Sequence, residues 1–196
     1  MKKKNTDKDN LKNSYLLCQR FLAESKNYIL FSIYLFTFAV VFGIFLNTTP
    51  EMTGKILDYL KQIVAQFNGL NLPQTILYLF WNNLSVCIIT IFSGVLLCII
   101  PFIIGLSNGF VLGFVAKHAV SLDGLTVIWR LFPHGIFELP AIIISLGLSF
   151  KLGVEIFTRR EIRHNLREIF RIIFLIIVPL LFIAAIIEGS LIFLFR

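Results

Sequence analysis

The residues best equipped for chemistry in this chain lie in apolar surroundings. His134 and Glu138 are four apart in the string Pro133-His134-Gly135-Ile136-Phe137-Glu138-Leu139-Pro140-Ala141, so on a helical turn they share a face. Glu188 interrupts an apolar run near the C-terminus, Asn82 and Asn83 interrupt a second, and Asn108 a third. A carboxylate in hydrocarbon costs roughly 2.5–3.5 kcal/mol on insertion scales, so each acid is expected to face inward with a partner. An unbonded amide costs a few kcal/mol, which turns the asparagines inward too. One imidazole and two carboxylates could ligate a metal, relay a proton or ion, or close into a structural hydrogen-bonded network. The HxxxE spacing does not choose among the three, so His134, Glu138 and Glu188 are the candidate metal ligands and no cofactor is specified. Hydrolysis lacks support: there is no HExxH, no serine with an obvious histidine partner and no Gly-rich phosphate loop. No catalytic residue is assigned, and the chain reads as a non-enzyme.

These groups need elements to hold them, and composition says what kind. Of 196 residues, 57% are hydrophobic, including 21 phenylalanines; a soluble domain is nearer about 45–50% apolar. A membrane span needs about 20 largely apolar residues. Blocks of that order occupy 29–46, 75–99, 102–117, 140–157 and 172–195. The expectation is an all-α, polytopic helix bundle with about five transmembrane helices plus short interfacial helices. A cytoplasmic segment, 1–28, precedes a transmembrane domain, 29–196. Lys2, Lys3, Lys4, Lys8 and Lys12 could mimic a signal peptide, but no small-x-small cleavage site follows the first block, so the first span is read as uncleaved.

Several joints are predictable. Thr49 can cap a helix beginning at Pro50, and the apolar stripe Ile56, Tyr59, Leu60, Ile63, Val64 and Phe67 suits a helix at the membrane surface. Pro101 closes the second span almost directly onto the third, which predicts an antiparallel hairpin. Pro133 and Pro140 predict that the turn bearing His134 and Glu138 is a short half-helix, offset from the fourth span, as in broken membrane helices that form sites. The segment 159–171 reads as a basic amphipathic helix with Ile162, Leu166, Ile169 and Phe170 on its apolar face, turned to anionic lipid. Gly105, Gly109 and Gly113 make a smooth strip on the third span, where another helix, in this chain or a second copy, can approach closely. Cys18, Cys87 and Cys98 are read as small packing residues.

The net charge of +7 has a topological reading. The first 28 residues carry seven Lys and Arg, and 159–171 carries five. The five-span arrangement puts both on one side, which makes the N-terminus cytoplasmic and the C-terminus outside. The expected partners are the lipid bilayer and a second copy in a homo-oligomer (dimer), or other membrane proteins. Nucleic acid is not expected, because no binding motif is present.

The string from Pro133 to Ala141 resembles the signature of the stage II sporulation protein M family of integral membrane proteins. Asn82-Asn83, Asn108-Gly109 with Gly113, and Glu188-Gly189 resemble the same family, over roughly 30–195. The resemblance implies a membrane scaffold that organises partner proteins in membrane remodelling or envelope processes. It names no catalytic residue, and it marks His134, Glu138 and Glu188 as pattern positions. The alternatives from the residues themselves remain a small-solute or ion transporter, or channel, with a polar site at His134, Glu138 and Glu188, and an intramembrane metal-binding protein.

Overall fold

A computed structural model describes the backbone of residues 2–66, 69–96, 98–124, 128–158 and 162–194; side chains within 2–11, 59–61, 63–64, 122–123 and 128–134 lie outside the description. Helices account for nearly all of it: α1 (Lys2–Glu24), α2 (Lys26–Phe45), α3 (Pro50–Ala65), α4 (Leu72–Ser93), α5 (Ile99–Asp123), α6 (Ile128–Thr158), α7 (Ile162–Ile172) and α8 (Val178–Leu194), with a π turn, Ile173–Ile177, joining the last two. Five stretches are long and apolar enough to cross a membrane: Lys26–Phe45, Leu72–Ser93, Ile99–Ser121, Gly135–Thr158 and Ile162–Leu194. The protein is an all-α polytopic membrane bundle.

Local chemistry sets the helix ends. Asn71 and Gln74 form a reciprocal capping box, each side chain 3.0 Å from the other's backbone nitrogen, and so start α4. The Thr49 hydroxyl accepts the Met52 N–H at 3.3 Å at the start of α3. The Lys117 ammonium donates to the Leu46 carbonyl at 3.1 Å, placing a cation at the negative end of α2.

The glycines decide which helices touch. α6 is central and packs on α2, α4 and α8, while α5 packs chiefly on α2. A Cβ added at Gly109 would meet Ala39 Cβ at 2.7 Å and the Phe36 carbonyl at 2.8 Å, and one at Gly113 would land on the Val40 carbonyl. From the other side, one at Gly43 would strike the Phe110 carbonyl. Gly105 faces Leu35 and Leu146. The small-residue strip of α5 is therefore filled by α2 of the same chain. Gly147 against Ile29 and Gly189 against Ile76 fix the α6–α2 and α8–α4 crossings in the same way.

Three expectations are corrected. The turn bearing Glu138 is not a half-helix offset from the span: α6 runs unbroken for 31 residues through Pro133 and Pro140. Each proline deletes one backbone hydrogen bond, and a long helix packed on three neighbours retains enough of the rest. The joint between the second and third spans is the turn after Ser93, with Cys98 in the left-handed region (φ 61°), and Pro101 sits inside the first turn of α5. α5 then leaves α4 for α2, because the glycine strip fits there. Lastly, α7 buries Asn165, Glu168, Ile169 and Ile172, while Ile162 and Phe170 are exposed. Polar partners, described below, rotate the helix away from its apolar phase. It enters the last span through the π turn, where Val178 N–H bonds the Ile173 carbonyl. Pro179, which has no N–H for the carbonyl four residues back, accounts for the widened turn.

Candidate functional site

Polar groups gather toward each end of α6. On the face opposite α1, Glu138 lies in the first turn of its span and Glu188 near the end of α8, both half-buried. α6 and α8 pack on each other and on α4, which sets Glu138 and Glu188 on adjoining helices. Cys87 of α4 is buried in the core that α4 shares with α6, the helix that carries the Ser145 hydroxyl. That hydroxyl donates to the Ala141 carbonyl at 2.8 Å. Gly189 brings the backbone beside Glu188 against α4, since a Cβ there would meet Ile76 Cγ1 at 2.7 Å. Among the described residues, neither Glu138 nor Glu188 has a hydrogen-bond or ion-pair partner.

The other sequence-predicted site residues are scattered around this pair. Asn83, half-buried, sits on α4 one turn before Cys87, and its side-chain oxygen accepts the Asn82 amide at 3.3 Å. Asn82 itself is exposed on the outer face of α4. Asn108 is on α5, where its amide donates to the Ile104 carbonyl of its own helix at 2.9 Å. His134 is part of α6, but its side chain lies outside the described residues. No group of three His, Cys, Asp or Glu arranged to hold a metal occurs among the described residues. The structure thus sets Glu138 and Glu188 on packed helices, α6 and α8, and leaves Asn108 on α5.

At the other end of α6 lies a polar centre the sequence did not single out. Lys151 is 6% exposed. Its ammonium stands 3.8 Å from the centroid of the Phe21 ring, 3.2 Å from the Ser25 hydroxyl, 3.9 Å from the Glu155 carboxylate and 4.0 Å from that of Glu24. The Asn165 amide donates to Glu155, and buried Glu168 pairs with Arg171 on the same helix. His164 meets the edge of Phe21 at 6.3 Å. This network ties α1 and α7 to the fourth span. Cys18, fully buried on α1, lies in it, and burial pushes its thiol above the ordinary range, with Arg171 pulling it back. The available signals were the i,i+4 spacing of Lys151 and Glu155 and the placement of Asn165 and Glu168 three apart.

The family profile of Stage II sporulation protein M matches residues 32–191. The chain belongs to that family. The match runs from α2 almost to the end of α8, so it includes Glu138, Glu188, Lys151 and Glu155 but not the α1 residues that meet Lys151. The chain is also 27% identical over 152 residues, covering 71% of each chain, to an uncharacterized protein of Methanocaldococcus jannaschii. No solved structure matches it. The sequence signature of the family member places Glu138 and Glu188 on facing helices, and its Asn108 and Gly109 on the α2–α5 pair instead.

Proposed function

We propose that this family member is a non-enzymatic organiser of other envelope or membrane proteins, held with its N-terminus in the cytoplasm and its C-terminus outside. The observation that carries this reading is the buried Lys151 network, which fastens the extramembrane helix α1 and the start of α7 to the fourth span. A helix fixed to the bundle in this way presents a rigid platform, with Arg163 and Arg167 exposed beside it. The twelve Lys and Arg of 1–28 and 159–171 support the cytoplasmic assignment of that platform. The test is cross-linking in native membranes with the wild-type chain and the Lys151→Ala variant. The wild type is expected to retain a defined protein partner that Lys151→Ala, still inserted, loses.

The second reading is a small-solute or ion site, favoured by two carboxyl groups on packed helices without a cationic partner among the described residues. Two like charges in a low-dielectric setting favour the arrival of a proton or cation. Purified protein in liposomes separates the two readings. Flux of a monovalent cation or solute that disappears in Glu138→Gln would replace the organiser with a transporter.

A further inference from the structure

The outer face of α4 carries polar side chains where lipid should be. Asn82 is the eleventh of the 22 residues of α4, counted from Leu72. At about 1.5 Å per residue it sits about 15 Å from the helix start, near the middle of a hydrocarbon layer about 30 Å thick. Asn82 and Ser85 are both exposed there. The single hydrogen bond of the Asn82 side chain among the described residues is the 3.3 Å contact to Asn83, which leaves its carbonyl oxygen and an N–H unused. Ser85 has no side-chain hydrogen bond among the described residues. Acyl chains can satisfy neither group, and headgroups do not reach this depth.

We propose that this face of α4 is the interface with a second copy of the chain. Residues 78, 82, 85 and 89 are exposed at alternating spacings of four and three, the repeat that lets two parallel helices pack in a left-handed seam. Trp81 and Leu77, each 56% exposed, flank that seam. A cleft of about 490 Å³ follows it, lined by Gln74, Leu77, Tyr78, Trp81, Asn82 and Ser85. Copies inserted the same way are related by an axis along the membrane normal. Their α4 helices run parallel, and Asn82 meets Asn82. An amide is both donor and acceptor, so the pair satisfies itself, and a polar residue at one position of such a seam also fixes its register. The rival surface, the glycine strip of α5, is already filled by α2. This inference does not depend on the organiser reading.

The test uses the full chain, with donor- and acceptor-labelled copies mixed in phosphatidylcholine vesicles and energy transfer followed as lipid is added. The wild type is expected to dimerise. Asn82→Leu with Ser85→Ala is expected to weaken association at least about tenfold, and Phe38→Leu, on another lipid-facing surface, is expected to leave it unchanged. Ser85→Cys in a background without the native cysteines should form an intermolecular disulfide on oxidation, while Phe38→Cys should not. This second arm decides the matter even if the leucine variant folds poorly. Undiminished dimerisation of the leucine variant, a monomer at every dilution, or cross-linking through Phe38→Cys instead would overturn the proposal. So would capture of a different membrane protein by Ser85→Cys in place of a second copy.

Discussion

At the α1 end of the fourth span, Lys151 is enclosed by an aromatic ring, a hydroxyl and two carboxylates. At the opposite end, Glu138 and Glu188 lie on packed helices, and among the described residues no cation stands with them. One helix therefore carries two ionisable centres of opposite character. At the first, the Lys151 ammonium and the Glu155 carboxylate have found groups that offset their desolvation, and those groups come from α1, α6 and α7. Such a centre is part of what holds the fold. At the second, two carboxyl groups lie on packed helices, an arrangement that opposes folding when both are ionised unless a proton, water or a cation enters. The contrast separates residues kept for assembly from residues whose placement stability alone does not explain.

The sharpest way to break this comparison is Lys151→Ala. Removing one partner of a buried ion pair costs about 3–5 kcal/mol; with Glu155 at 3.9 Å and Glu24 64% exposed, this case falls at or below about 3 kcal/mol. The loss also includes the contact with Phe21. Unfolding in detergent followed by circular dichroism checks it. Lys151→Met keeps the stem and is expected to recover part of the loss. A cost below about 1 kcal/mol for the alanine variant would erase the distinction between the two ends.

A second measurement sharpens the same point without unfolding the protein. The Cys18 thiol is fully buried, and its raised pKa leaves little thiolate near neutral pH. Maleimide labelling of Cys18 should therefore be slow in the wild type. In Lys151→Ala, where α1 loses its anchor, it should accelerate about tenfold, equivalent to about 1.4 kcal/mol of easier opening. Equal rates in the two proteins would mean that Lys151 does not hold α1.

How much of this could be seen in advance follows from the range over which each force acts. Lipid imposes span length locally, so the apolar blocks located five crossings, and Thr49 with Pro50 marked the start of α3. Gly105, Gly109 and Gly113 advertised a close approach, but which helix fills the strip depends on Ala39 and Val40, some 70 residues away. Pro133 and Pro140 misled, because the local rule against proline in helices is outweighed when a helix packs on three neighbours. The Lys151 centre was invisible for a related reason: its ammonium donates to Ser25, 126 residues distant. Glu138 and Glu188 were legible as inward-facing because burial cost depends on residue type alone. That no partner stands with them among the described residues could be learned only from the structure.

A milder substitution probes the α7 side of the network. Glu168 is 4% exposed and paired with Arg171. Glu168→Gln keeps an acceptor for the guanidinium and loses the charge, so the expected cost is about 1–2 kcal/mol, the difference between a charge-assisted and a neutral hydrogen bond. The Cys18 labelling rate should move less than in Lys151→Ala, since Arg171 and Glu168 pair within one helix and do not bridge to α1.

The smallest effect is expected from the acids, and it carries the most information. Glutamine has nearly the shape of glutamate, so Glu138→Gln and Glu188→Gln remove charge with little loss of packing. Among the described residues there is no ion pair for these substitutions to break. Each single variant should change stability by no more than about 0.5 kcal/mol, and the double variant should be as stable as the wild type or slightly more so. The two effects should not add, because neutralising either acid already relieves the other. If instead each variant costs 2 kcal/mol or more (roughly the loss of a buried charged partner), the pair is structural after all, and its counter-charge must come from a group such as the His134 side chain. A near-zero cost would leave the two acids as positions that the fold tolerates without needing, and would direct the search for function to that end of the bundle.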